Sequence, residues 1–323
     1  DWSSDVCSSD LDSYKGCMTS REVAERIELG IRQVDDAVIT TSYVIGDGGE
    51  GTVEAFHETC HGRKQPVSTT DAYGKKIISE YTIIENGETA VIEVANIIGL
   101  NMHERDKRAP FFGSSYGVGT VMLDAAAQGC RKIIIGLGGS ATNDGGMGLL
   151  QALGCRFYDS SHKYLSPQAM NLDKVRYIDF NRLNKLEGIE LIAACDVKNH
   201  LLGENGATYV FGKQKGFFPN QIRKIDLGME NFRNQVRRYL HVDIDSFDGG
   251  GAAGGIGAVL IGILHANMIS GIELLLSFSD MEEQVKDCDL VITGEGQSDR
   301  QTMFGKVPVG ILKVANRHHK PCI

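Results

Sequence analysis

The chain has 323 residues, 42% hydrophobic and 23% charged, with a formal net charge of −9. That acidic balance, with no Lys/Arg cluster long enough to follow a phosphate backbone, argues against a nucleic-acid partner, and no apolar run reaches the ~18–20 residues of a membrane span. The 8 cysteines are scattered without a CxxC pair, as in a reduced cytoplasmic protein without structural zinc, and glycine is the outlier at 39 residues, about 12% against a usual ~7%.

Residues 1–11, DWSSDVCSSDL, lack a signal-peptide layout and show neither strand nor helix period. They read as the in-frame translation of a sequencing-library adapter, so native sequence is expected to start near Asp12. TSREVAERIELGIRQV sets Val23, Ile27, Ile31 and Val34 at helical spacing behind a Thr19 or Ser20 cap. DAVITTSYVIGDGGEG reads as a β-rich run closing in a glycine turn, and TVEAFHETC as a second helix. From Pro66 onward, Tyr73-Gly74 and Asn86-Gly87 turns between β-rich runs predict antiparallel hairpins. SSYGVGTVMLDAAAQG reads as a helix, CRKIIIGLGG as a buried strand, GGMGLLQALG as a helix and ELIAACDV as a strand. Residues 219–240 form a polar amphipathic helix, and GAAGGIGAVLIGILHANM a glycine-opened one. DCDLVITGEG, VPVGILKVANRH and KPCI return to a strand–helix–strand rhythm. At ~150 residues per domain there is room for about two. The expected architecture is an α/β domain made from both chain ends, 12–64 and 287–323, interrupted by a larger inserted mixed α/β domain, 65–286.

Glycine-rich loops recur as GDGGEGT (46–52), GLGGSATNDGGMG (136–148), GGGAAGG (249–255) and GEG (294–296). Where such loops join a strand to a helix, backbone N–H groups and the helix dipole can hold an anion. One loop alone is explained as well by a tight turn; several, set beside acids, favour a phosphorylated ligand. Acids at loop positions are Asp47, Asp144, Asp196, Glu295 and Asp299, and lysines beside loops are Lys15, Lys213, Lys215 and Lys306. Each has a plain reading as a cap or a solvated charge. Together they are the parts of phosphoryl transfer: anion cradles, acids for Mg²⁺, a cation and an orienting group. A rival is G-x-G-x-x-A at Gly136–Ala141 with Asp159 further on, the pattern of a dinucleotide-dependent oxidoreductase or a non-catalytic nucleotide-binding module. Walker A and GxSxG motifs are absent. His57, His61 and His103 read as ordinary core or surface histidines.

In order along the chain, DSYKG, DGGEGTVEA, SSYGVG, IIIGLGGSATNDGGMGLLQALG, CDVKN, GATYVFGKQKG, GGGAAGGIGA and LVITGEGQSDRQTMFGKVPVGI resemble the type I glycerate kinase (glycerate 2-kinase) family. The resemblance implies ATP-dependent phosphorylation of D-glycerate to 2-phosphoglycerate with Mg²⁺, and a Rossmann-like domain interrupted by a second one, with the site in the cleft between them. It also implies a strand before DSYKG and further elements after KPCI, so both ends read as cut and the fragment is expected to be weakly active or inactive and poorly soluble. Lys198 and His200 stand where the family has TNP, and Lys213 where it has Pro. On this resemblance Asp47, Asp196 and Lys15 are the expected catalytic residues, with Asp47 and Asp196 as Mg²⁺ ligands. Gly48, Gly49, Gly138, Gly139, Ser140, Thr142, Asn143, Asp144, Gly254, Glu295, Asp299 and Lys306 are the expected contacts to glycerate or phosphate. The loop 136–148 is expected to meet either ATP or glycerate, with glycerate the favoured of the two.

Overall fold

A computed structural model describes residues 5–11, 18, 20–45, 48–104, 109–294 and 307–323. The chain begins β1 (Asp5–Leu11), α1 (Ser20–Val34), β2 (Ile39–Thr40) and α2 (Thr52–Thr59). A hairpin and a third strand follow, β3 (Arg63–Thr70), β4 (Lys76–Ile84) and β5 (Thr89–Glu93). Next come α3 (Ala95–Ile98), α4 (Tyr116–Ala127), β6 (Lys132–Gly136) and α5 (Met147–Ala152), then β7 (Arg156–Tyr158), β8 (Tyr177–Asp179) and β9 (Glu190–Ala194). The remainder is α6 (Ala207–Lys215), α7 (Pro219–Leu240), α8 (Ile256–Gly262), β10 (Asn267–Ile269), α9 (Gly271–Phe278), α10 (Met281–Asp287), β11 (Leu290–Gly294) and α11 (Val307–Arg317).

Strands β10-β9-β6-β5-β4-β3 form a mixed sheet whose central pairs are parallel and whose β3–β4–β5 edge is antiparallel. Its middle is apolar on both faces, yet the two-residue period survives inside the buried runs. Ile133 and Ile135 of β6, Ala90 and Ile92 of β5, and Leu191 and Ala193 of β9 enter one core; Ile134, Val91, Ile192 and Ala194 enter the other. The first core is closed by α4, α5, α7 and α8. The second is closed by α2, α9, α10 and α11, so α2 lies on the large sheet beside α9. This doubly covered, mostly parallel arrangement needs near-continuous apolar strands, as KIIIG and ELIAA are.

A separate parallel sheet has the order β11-β1-β2; beyond β11 it continues, the Val291 and Thr293 N–H groups donating to the Pro321 and Ile323 carbonyls and the Ile323 N–H donating to the Val291 carbonyl. Here three expectations are corrected. Residues 1–11 show no strand period, yet Asp5–Leu11 is a strand between β11 and β2, so the position expected to lack a strand is filled. A ladder on both sides imposes extended backbone whatever the side-chain alternation. Among the described residues of 36–51, the β-rich reading shrinks to the strand Ile39–Thr40, since only those residues find partners on β1. The long helix read across 251–268 breaks into a one-turn coil, α8 and β10, because Ala253, Gly254 and Gly255 all have positive φ and cannot continue a helix.

Candidate active site

Strands β6 and β9 end side by side, Gly136 against Ala194. In sheets of this kind ligands bind beyond the carboxyl ends of the strands, where the connecting loops diverge. Loops 48–51, 137–146, 195–206 and 249–255 meet here backbone to backbone. The Gly138 N–H donates to the Gly48 carbonyl at 3.0 Å, and a Cβ on Gly138 would stand 2.3 Å from Gly49 Cα. The Gly145 N–H donates to the Gly254 carbonyl at 2.9 Å, and a Cβ on Gly254 would stand 2.1 Å from the Thr142 carbonyl oxygen. Much of the glycine excess is therefore spent on closing loop against loop.

The loops enclose a cavity of about 610 Å³. Of the residues singled out in the sequence, Gly48, Gly49, Gly138, Gly139, Ser140 and Asp196 line it. Thr142, Asn143, Asp144 and Gly254 do not; they lie behind the wall, buried. Lys15, Asp47, Glu295, Asp299 and Lys306 lie outside the described residues. His57, His61 and His103 are off the wall.

Asp144 is fully buried and clamps two helix starts. Its Oδ2 accepts from the Ser115 N–H at 2.7 Å, the Ser115 hydroxyl at 2.8 Å and the Gly148 N–H at 3.0 Å, while Oδ1 accepts from the Gly146 N–H at 3.2 Å. Burial pushes its carboxyl above the usual range, and these four donors pull against that. Both α4 and α5 also point their positive ends at it. Asn143 donates to the Thr208 hydroxyl of α6 at 2.9 Å. The polar run Thr142–Asp144 thus holds the loop to α4, α5 and α6, and Ser140 and the glycines face the cavity.

A residue grouped at first with solvated loop lysines is the main addition. Lys215, at the last position of α6, lines the cavity while only 2% exposed. Its Nζ donates to the Thr142 carbonyl at 2.6 Å and to Ser140 Oγ at 3.1 Å. Desolvation lowers its ammonium from 10.5 to about 7, offset in part by the Asp144 charge. Helical spacing did hold a signal: Ala207, Thr208, Gly212 and Lys215 form the buried face of α6, whereas Lys213 is exposed. Below pH ~7 the ligand-free folded and unfolded chains both carry this proton. Between about 7 and 10.5 only the unfolded chain does, so folded stability rises with pH there, by up to ~1.4 kcal/mol per unit from this group. Urea unfolding at pH 7 and pH 9 should show wild type gaining on Lys215→Met; a pH-independent difference would contradict this.

At the open side, Asp196 follows β9 and its Oδ1 accepts from the Gly271 N–H of α9 at 3.2 Å. The exposed Lys198 and His200 line the cavity nearby. The Asp245 carbonyl, 2.7 Å from His200 Nδ1, raises that imidazole above its ordinary range, with Asp248 3.2 Å from Nε2. Two departures from the family pattern, Lys198 and His200, thus fall on the cavity wall, and the third, Lys213, falls outside it. Glu93 is a second buried acid that was not singled out: its oxygens accept from the Gly51 and Val53 N–H groups at 3.2 and 3.1 Å, seating the start of α2. Burial lifts it to about 7 against those two bonds. No group of three or more metal-ligating side chains occurs among the described residues, and no described helix is long and apolar enough to cross a membrane.

The dinucleotide pattern does not find its structure. In the dinucleotide fold the glycine motif opens the helix, whereas α5 starts only at Met147, well past the Gly136–Ala141 motif. Asp159 accepts from the Ser161 and Lys163 N–H groups at 2.8 and 2.9 Å, a turn closing on itself.

The sequence model of the glycerate kinase family matches residues 10–323. A glycerate 2-kinase of Escherichia coli K12 is 41% identical over 313 residues, covering 97% of this chain and 82% of the relative. A glycerate kinase of Bacillus subtilis 168 is 38% identical over the same shares. A crystal structure assigned as glycerate kinase 2 from Salmonella typhimurium LT2 superposes with a TM-score of 0.86 at 38% identity, over 99% of this chain and 86% of that one.

Proposed function

Because the chain belongs to the glycerate kinase family, we propose that it moves the γ-phosphoryl group of ATP to the 2-hydroxyl of D-glycerate within this cavity, giving 2-phosphoglycerate. It is a kinase, and glycerate is the small molecule it phosphorylates. The 2-position is supported by the Escherichia coli relative, a glycerate 2-kinase. The observation that carries the siting is the convergence of four loops beyond β6 and β9 on one cavity, lined by a buried cation, Lys215, and a carboxylate, Asp196. Phosphoryl transfer asks a protein mainly for positioning and charge, and this wall supplies both.

Ser140 and the backbone of Gly138 and Gly139 would hold acceptor oxygens, and Gly48 and Gly49 would approach the phosphates. Mg²⁺ brought with a nucleotide typically takes one or two protein carboxylates and completes its shell with phosphate and water. Asp196 on the wall fits that role, with Asp47 as its expected partner; bound there, the ion would neutralise charge on the transferring group. Lys15, Glu295, Asp299 and Lys306 remain proposed site residues on the strength of their motifs. Thr142, Asn143, Asp144 and Gly254 are proposed to act on the ligand by holding the loop that meets it. We also read residues 12–64 and 287–323 as a Rossmann-like unit, with 65–286 inserted; its β11 and β2 belong to the parallel β11-β1-β2 sheet, whose middle strand comes from residues 5–11. A cytoplasmic location is supported by the free thiols of Cys60, Cys130 and Cys155.

ADP release measured by a coupled assay should require D-glycerate, and NMR of the product should place phosphorus on the C2 oxygen. A turnover of NAD(P)H in its place would return the dinucleotide reading. In the same assay Asp196→Asn should lose more than tenfold in kcat, as expected of a group serving the transferring charge (roughly 1.4 kcal/mol per tenfold). An unchanged kcat takes Asp196 out of the mechanism.

A further inference from the structure

Lys215 is a buried amine that no carboxylate among the described residues pairs with. Its two hydrogen bonds go to neutral oxygens, the Thr142 carbonyl and the Ser140 hydroxyl, and no carboxylate among the described residues forms an ion pair with it. An ammonium has three donors and strongly resists desolvation, so one left this way, at 2% exposure in a cavity wall, is poised for an anion. Among the described residues, the one acid that acts on it electrostatically, Asp144, already spends both oxygens on four donors at the starts of α4 and α5.

The difference in exposure along the cavity wall decides which anion. The other described basic side chains on the wall, Lys198 and His200, are exposed at the open side, on the stretch that carries Asp196. A triphosphate carries several charges and keeps water and metal about it, which suits that open side. Lys215 carries one charge in a dry wall, the match for a single carboxylate that gives up its own water on binding. We propose that Lys215 grips the carboxylate of the acceptor from the buried part of the cavity wall and so makes this kinase select an acid over a neutral polyol. The inference rests on the cavity being the glycerate site. It gives Ser140 a second task, since its hydroxyl both faces the cavity and steadies Nζ. The lowered ammonium in the empty site fits the same picture, because an arriving anion restores the proton.

The test compares D-glycerate with its uncharged amide, D-glyceramide, at saturating ATP, in wild type, Lys215→Met and Ser140→Ala. Truncating one partner of a buried charge pair typically costs 2–5 kcal/mol, so Lys215→Met should raise KM for D-glycerate by about 30-fold or more. The kinetics of glyceramide should move less than about threefold on the same scale. D-glycerate alone should raise the melting temperature of wild type and not of Lys215→Met. Ser140→Ala, which keeps the charge, should show a smaller rise in KM, and it serves as the test if the Met variant does not fold. Equal losses of kcat on both substrates with KM unchanged would assign Lys215 to the phosphoryl group or to proton transfer and overturn the carboxylate grip. An unchanged KM for glycerate would also overturn it. A wild type with no glycerate-dependent ADP release defeats the proposed function itself, and this inference with it.

Discussion

Asp144→Ala is expected to remove about 3–5 kcal/mol of folding stability, the largest loss from any single side chain of the candidate site. Four donors meet its two oxygens in a fully buried position, and each buried donor left without an acceptor costs ~1–3 kcal/mol before relaxation. The losses do not add fully, because the Ser115 hydroxyl already accepts from the Leu149 N–H and can turn elsewhere. Against a usual total of ~5–15 kcal/mol, such a change brings a domain near its unfolding threshold. Urea titration should show a lower midpoint with the slope kept. Asp144→Asn, which keeps one acceptor oxygen, should fall between. A loss below 1 kcal/mol for the Ala variant would mean that the loop is held by its backbone contacts and the carboxylate is dispensable.

Gly254→Ala should cost roughly 2–5 kcal/mol, by a different mechanism. The added methyl would sit 2.1 Å from the Thr142 carbonyl oxygen and 2.8 Å from Asn143 Cα, both backbone, so no rotamer change can make room. The φ of +69° adds the strain of a left-handed conformation for a residue with a Cβ, ~1–3 kcal/mol, and overpacking adds ~1–3 more. Relief requires the 249–255 loop to back away from 142–145, breaking the Gly145–Gly254 hydrogen bond. The Thr142 carbonyl also accepts from Lys215, so the displaced loop should raise KM for glycerate as well as lower the melting temperature. A substitution tolerated on both measures would show that the two loops slide past each other freely.

The residues differ in how openly they announce these roles. Asp144 was legible as a polar group in a special loop, but its direction was not: the spacing Thr142-Asn143-Asp144 suits ligand contact and helix capping equally. Lys215 went the other way. Its chemistry is visible in any reading of the chain, yet its burial depends on α6 packing against a loop 75 residues earlier. Glu93 ends an apolar strand and gives no local sign that the start of α2 lies over it. The dinucleotide pattern at Gly136–Ala141 failed because glycine spacing records where backbone must come close and says nothing of what it comes close to.

The sequence by itself determined the apolar β6 and β9 runs, the Tyr73-Gly74 and Asn86-Gly87 turns, the amphipathic 219–240 helix and the ordered motifs of the family, because each rests on local periodicity, turn chemistry or residue identity. Tertiary structure alone decided that Asp5–Leu11 extends as a strand, that the glycines close loop upon loop, and that Thr142–Asp144 turn inward while Lys215 faces the cavity. Those outcomes depend on partners far away in the chain, and a buried charge or a methyl-sized gap has its meaning only from what stands on its other side.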